Sequence, residues 1–165
     1  MNIRQSTIND INSILEIYEY ARNFMKQNNN PNQWGNFWPP NDLIVEDILN
    51  KKSYVCVEDN QIATVFFLEY GISDITYNNI NGKWINNDKY AVIHRIASNK
   101  KIKGAGEFSI KWVIDKYKHV RIDTHKNNIP MRNLLKKLGF IECGIINIDD
   151  KLGLKDTERI AYEKI

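Results

Sequence analysis

His94, and the basic glycine-bearing turn just beyond it, are the residues of this chain whose types and spacing best suit chemistry. The stretch YAVIHRIASNKKIKGAGEFSIKWVI, residues 90–114, reads as a strand, a short turn and an amphipathic helix. Such a turn aims several backbone N–H groups at one spot, and the helix N-terminus adds a partial charge of roughly +0.5. Together they form an anion site suited to a pyrophosphate. Gly104 and Gly106 let the backbone approach phosphate without a Cβ in the way. Lys100, Lys101 and Lys103 add positive charge. By itself a Gly-x-Gly is equally compatible with an ordinary strand-to-helix turn. There is no Gly-x-x-x-x-Gly-Lys-Ser/Thr and no Gly-x-Gly-x-x-Gly after a first strand, which argues against a P-loop and a dinucleotide fold.

An unperturbed histidine titrates near neutral pH, which makes His94 the first candidate for a general base. The competing reading is a hydrogen-bonded histidine packed in the sheet. Arg95 faces the other way by strand alternation. A pairing with Asp123 of the next strand would make it a partly buried structural ion pair. His125 belongs to a loop. His94, His119 and His125 make no recognised metal spacing, so no metal site is expected.

A scaffold must position these groups. Residues 3–5 suit a first strand. Thr7 reads as an N-cap with Asp10 available to the first turn, and Ile8, Ile11, Ile14, Leu15, Tyr18, Ala21 and Met25 follow at helical spacing. An Asn-, Pro- and aromatic-rich loop over 27–40 leads to a shorter helix near 42–50. Strands over 53–58 and 61–70 flank an Asp59-Asn60 turn and read as a hairpin. Residues 71–88 suit a long loop or an extra hairpin. A buried strand over 89–97, a helix over 104–117 and a strand over 119–124 follow. Pro130 opens another helix, which ends at Gly139. Strands over 140–148 and 159–164, joined by a polar segment over 149–157, close the chain. The order implies one α/β domain over residues 1–165, with a mixed central sheet flanked by about four helices and a crossover connection.

Two blocks resemble a known family. Lys101-Ile-Lys-Gly104-Ala-Gly106 resembles the Arg/Gln-x-x-Gly-x-Gly/Ala motif of the GNAT N-acetyltransferase superfamily, and Ile96-Ala97-Ser98 resembles that family's Leu-Ala-Val strand end. RIDTHKNNIPMRNLLKKLGFIECG, residues 121–144, is similar to the family's next block, with Asn128 before a helix and Gly139-Phe140 entering a strand. The resemblance implies transfer of an acetyl group from acetyl-CoA to a primary amine. It implies that the backbone of Ile96, Ala97 and Ser98 pairs with the pantetheine arm. The N–H groups of Lys101, Ile102, Lys103, Gly104, Ala105, Gly106 and Glu107 would hold the pyrophosphate, and Asn128 would contact the cofactor. His94 stands at the offset of a histidine in some arylalkylamine-type members. An amine with a pKa near ~10 is mostly protonated at neutral pH, so positioning and a base are the main levers. Strand-end N–H groups near Ala97 are candidate donors to the developing oxyanion.

The chain departs from the family pattern at three positions. Lys101 keeps a donor where Arg or Gln is usual but loses the planar fork. Ile102 stands where Gly is frequent. Leu135 stands where many members carry a tyrosine that acts as acid toward the thiolate, so either another group such as Tyr90 or Tyr162 serves, or the thiolate leaves without a dedicated acid. Trp34, Phe37, Trp38 and Trp84 lie on the least regular stretches. Trp34 and Trp84 are the substrate-binding candidates, the alternative being that these rings only close the core beneath long loops.

Composition narrows the partners. A net charge of +3 fits an anionic cofactor as well as nucleic acid. Three lysines on one turn are too few for a nucleic-acid stripe. No apolar run reaches membrane length, and MNIRQSTINDI does not read as a leader peptide. Cys56 and Cys143 form no Cys-x-x-Cys pair, which fits a reducing, cytoplasmic setting. The expected partners are acetyl-CoA and a small-molecule or peptide amine, with no nucleic acid and no membrane; a homodimer is compatible with this size. A noncatalytic acyl-CoA-binding module is the alternative, encouraged by Leu135. Polyamines, aminoglycosides, amino acids, peptide N-termini and protein lysines all remain open as acceptors, because loops rather than fold set that choice.

Overall fold

In a computed structural model, residues 1–149 and 152–165 are described. Asp150 and Lys151, part of the polar segment expected over 149–157, lie outside the described residues. The strands β1 (Asn2–Gln5), β2 (Ser53–Glu58), β3 (Gln61–Tyr70), β4 (Asn81–Gly82), β5 (Ala91–Ser98), β6 (Val120–Thr124), β7 (Ile141–Asn147) and β8 (Glu158–Lys164) join in one sheet. Its order is β1-β2-β3-β5-β6-β8-β7-β4. The helices are α1 (Ile11–Gln27), α2 (Asn41–Leu49), α3 (Ile75–Asn78), α4 (Ala105–Tyr117) and α5 (Ile129–Lys137). Among the described residues that is one helix more than expected. The addition is α3, in the stretch read as a loop or hairpin. Asp74 opens it by accepting the Thr76 N–H at 2.9 Å.

Local chemistry accounts for the boundaries. The Thr7 N–H donates to Asp10 Oδ2 at 2.8 Å, closing a 3-10 turn that leads into α1. Asp59 and Asn60 take φ of 49° and 59°, the double positive φ of the two-residue turn that matches strand twist. Asn128 Oδ1 caps α5 by accepting the Met131 N–H at 3.2 Å. Alternation along β3 feeds two cores. Val65 packs with Ile14, Ile17, Ile44 and Ile48 under α1 and α2. Phe66 packs with Ile93, Ile110, Val113 and Leu135 under α4 and α5. Each such aliphatic side chain contributes about 1.5–3 kcal/mol on burial.

The feature that makes a site is a parting of the sheet. The strands β5 and β6, connected through α4, are its parallel pair, and they pair only at Ala91–Val120, Val92–Arg121 and Ile93–Ile122. Beyond Ile93 they separate. The register of β5 on β3 shifts between Val65 and Phe67, and Arg95 takes a φ of 54°. This is a bulge, which bends its strand and ends pairing. The Tyr18 hydroxyl fastens it by donating to the Arg95 carbonyl at 3.0 Å.

The Arg95 side chain corrects one expectation. It pairs with Asp47 of α2, through contacts of 2.8 to 3.0 Å, and not with Asp123. Parallel register places His94 beside Asp123, and the bulge sends Arg95 toward α2. Removing one partner of a buried pair strands the other charge. Arg95→Met is therefore expected to cost about 3 kcal/mol in urea denaturation, most of it recovered in the Arg95→Met/Asp47→Leu double variant.

Candidate active site

Where β5 and β6 part, a cleft of about 190 Å³ opens on the side of the sheet ends, continuous with a groove of about 120 Å³; Ile96, Asn128 and Met131 border both. His94 stands on the cleft wall between two carboxylates. Its Nε2 lies 2.7 Å from Asp74 Oδ2, and its Nδ1 lies 3.5 Å from Asp123 Oδ2. The same Asp123 oxygen accepts the Tyr77 hydroxyl at 2.7 Å. Burial alone would lower the imidazole pKa, but the hydrogen bonds and charges of Asp123 and Asp74 outweigh it and lift His94 to about 9. Burial would raise Asp74, yet the bond to His94 leaves it below the usual carboxylate range. Burial, followed by the Asp123 charge, drives Tyr77 well above its ordinary value. At neutral pH His94 thus rests as an imidazolium between anions, a group that yields its proton only to a strong base or a rising pH.

The groove continues from the cleft along Ile96, Ala97 and Ser98 to Gly106. On this stretch β5 pairs with β3 on one side, through Val65–Ala97 and Thr64–Ser98, and its other edge is open. In the turn, two N–H groups are already engaged: Lys101 donates to Asn99 Oδ1 at 3.1 Å, and Ala105 to the Ile102 carbonyl at 3.4 Å. The expected set of phosphate donors is smaller for that reason. Among the described residues, the N–H groups of Ile102, Lys103, Gly104, Gly106 and Glu107 have no such partner. A Cβ added at Gly104 or Gly106 would meet nothing within 4 Å, so neither glycine is required by packing inside the protein. The Ile102 side chain anchors the turn against Cys56, Ala63 and Ala105. The Glu107 carboxylate is held near 2 by Lys111 and Lys137.

The remaining candidates fall into place one by one. Trp34 is buried and lines the cleft. Trp84 borders neither space: its Nε1 donates to the Tyr77 carbonyl at 2.9 Å, and the Arg121 guanidinium stacks on its ring. It packs behind α3, so its assignment to substrate is withdrawn. Leu135 is completely buried among α4, α5 and the sheet, where a phenol would overfill a packed core. Neither proposed replacement borders the cleft. The Tyr90 hydroxyl accepts the Asp74 N–H, and the Tyr162 hydroxyl donates to Glu142 at 2.9 Å. His125 is buried and bonded to Asp156, and His119 to Glu163.

The same fold is found in an acetyltransferase of the GNAT family from Streptococcus agalactiae 2603, which is 30% identical, with 99% of this chain and 94% of that chain covered and a TM-score of 0.86. The chain belongs to the GNAT family of acetyltransferases. An acetyltransferase structure from Staphylococcus aureus Mu50 is similar at 26% identity, covering 99% of this chain and 98% of that chain, with a TM-score of 0.72. The structure of yncA from Salmonella typhimurium with its cofactor acetyl-CoA shares the fold at 13% identity, with 98% and 91% covered and a TM-score of 0.64. No family model and no curated protein matches the sequence.

In this GNAT chain the fold adds site residues that sequence reasoning missed: Asp74, Tyr77, Gln33, Thr124 and Arg159. Asp74 carried a usable signal, since Asp is a favoured N-cap residue whose side chain accepts the backbone N–H two residues on. Thr124 is buried, lines the cleft, and its Oγ1 has no partner among the described residues. An orphaned hydroxyl in a native interior calls for a ligand or water. No helix among the described residues is long and apolar enough to cross a membrane.

Proposed function

We propose that this protein is an acetyl-CoA-dependent N-acetyltransferase acting on a primary amine. One observation carries the reading. The open edge of β5 runs unbroken from the carboxylate-flanked His94 to a glycine turn with free N–H groups. The residues present fit the cofactor: Gly104 and Gly106 face open space, and the unpaired N–H groups surround it. The backbone of Ile96 to Ser98 would hold the pantetheine arm, the N–H groups of the turn would hold the pyrophosphate, and Lys100 and Lys103 would supply screening charge. Asn128 borders groove and cleft and would meet both halves. When bound, acetyl-CoA supplies an acetyl group activated as a thioester. In the neutral form that it reaches as pH rises toward about 9, His94 would take the proton that the acceptor ammonium must lose, with Asp74 and Asp123 holding the ring and stabilising its charged form. Trp34 and Trp38 would wall the acceptor from water.

Free-thiol release from acetyl-CoA across a panel of amines, with calorimetric binding of acetyl-CoA alongside, tests the proposal. Amine-dependent release is expected. Binding without release for every amine would instead support an acyl-CoA-binding module, the reading that Leu135 favours. Failure to bind acetyl-CoA would remove both. A cytoplasmic location and a single domain over 1–165 accompany the proposal, consistent with two free thiols, Cys56 and Cys143.

A further inference from the structure

Three side-chain amides in and beside the loop between α1 and α2 are joined in a chain whose polarity is fixed. A backbone N–H can only donate, so the Met131 bond forces Asn128 Oδ1 toward α5 and its Nδ2 outward. Asn128 Nδ2 donates to Gln33 Oε1 at 3.0 Å, and Asn30 Nδ2 donates to the same oxygen at 2.7 Å. Gln33 therefore turns its oxygen to the amides and its Nε2 away from them. That nitrogen has no partner among the described residues, and Gln33 borders the cleft that holds His94.

Arg159 borders the same cleft and is buried, 3% exposed. It donates to the carbonyls of Asp156 at 2.8 Å, Glu158 at 2.9 Å and Gln33 at 2.8 Å. Among the described residues no carboxylate stands within ion-pair distance of it. Three of its five N–H groups are used on carbonyls, and the Asp123 and Asp156 carboxylates act on its charge only from beyond ion-pair distance. Asp123 pairs with Ala161, so Arg159 lies diagonally from it on the same face of the sheet. One small cleft, which Asp149 also lines, thus offers Asp123 beside His94 at one end, and an amide donor beside a buried guanidinium at the other.

We infer that the acceptor is an α-amino carbonyl compound, an amine whose own carbon bears a carbonyl or carboxylate oxygen, as in a free amino acid or a peptide N-terminus. The ammonium faces His94 and Asp123, and the oxygen accepts from Gln33 Nε2 within the field of Arg159. This rests on the reading of the cleft as the acceptor site of an N-acetyltransferase. A bare amine or polyamine would leave those donors desolvated and unpaired, the situation that lets a hydrogen-bonding site reject an analogue lacking the matching group.

The test compares kcat/KM for matched pairs, phenylalaninamide against phenethylamine and tyrosine against tyramine, with alanyl-alanine and alanine as arms separating peptide from free amino acid. A neighbouring carbonyl itself lowers the amine pKa, so rates are referred to the unprotonated amine; on that basis the carbonyl-bearing partner is expected to be favoured by about 100-fold. Gln33→Glu keeps the oxygen that Asn30 and Asn128 need and replaces the Nε2 donor by an acceptor oxygen that also brings a negative charge beside Arg159. Gln33→Leu removes both groups. Each should collapse the preference through the acceptor KM while acetyl-CoA affinity, read by calorimetry, stays unchanged. Equal turnover of bare amines by the wild type, or variants that slow both members of a pair alike, would overturn the inference and leave the N-acetyltransferase reading intact. Thiol release with no amine at all would overturn both.

Discussion

Replacing His94 with alanine is expected to lower turnover by about 10²–10³-fold while acetyl-CoA affinity stays within a factor of about two, the range and pattern of a lost general base. The side chain stands on the cleft wall, not in the groove, so the binding of the cofactor's long arm does not depend on it. The pH dependence gives a sharper reading. A base works in its neutral form, and His94 is lifted to about 9, so kcat/KM should climb through the neutral range and level off above about 9. Asp74→Asn or Asp123→Asn removes one of the charges that hold the proton on, so the midpoint should move to lower pH. The acceptor's own ionisation, common to all variants, cannot move with them. Stability should follow the opposite course. The folded pKa lies above the ordinary imidazole value of about 6.5, so the stabilisation from the charged ring is complete below about 6.5 and fades as pH rises through about 9. Activity rising while stability declines over one pH range would identify a single group behind both. A profile unmoved by Asp74→Asn and Asp123→Asn would reduce His94 to a packing role.

Much of the fold was legible because its signals are local. The Asp59-Asn60 turn, the cap at Asn128 with Pro130 behind it, and the apolar spacing along α1 each follow from a few neighbouring residues. The glycine turn was legible for the same reason. What escaped depends on contacts far apart in sequence. In sequence Asp123 is a possible partner for Arg95, but the observed pairs Ile93–Ile122 and Ala91–Val120 put His94 beside it instead; a shift of one residue changes which charge it meets. Arg95 found Asp47 because a bulge redirected it, and a bulge leaves no mark in a strand of apolar residues. Asp74 and Tyr77 sit on a polar, Asn-rich stretch whose periodicity is too short to show a four-residue helix. An aromatic on an irregular stretch, such as Trp84, reads the same in sequence whether it faces a ligand or the back of α3. The amide chain through Asn30, Gln33 and Asn128 spans two loops almost a hundred residues apart, and only their proximity in space gives its polarity a meaning.

Gly106→Leu should separate cofactor binding from folding. Gly106 lies inside α4 with nothing within 4 Å of its would-be Cβ, and it borders the groove. Leucine is a far better helix former than glycine, so the variant should gain about 0.5–1 kcal/mol in thermal or urea denaturation. The same side chain would stand where the free N–H groups of the turn converge. Acetyl-CoA affinity should then fall at least about 100-fold, or roughly 2.7 kcal/mol. Gly104→Leu makes the contrast. There φ is 82°, a left-handed conformation that costs an L-residue about 1–2 kcal/mol, so this variant should lose stability and affinity together. In the double variant binding should vanish while the fold persists, because the gain at 106 offsets much of the cost at 104. Calorimetry with acetyl-CoA beside a melting curve reads both quantities on one sample. A folded Gly106→Leu protein that binds acetyl-CoA as tightly as the parent would show that the phosphates do not sit on this turn. The open β5 edge would then have to be explained by another ligand.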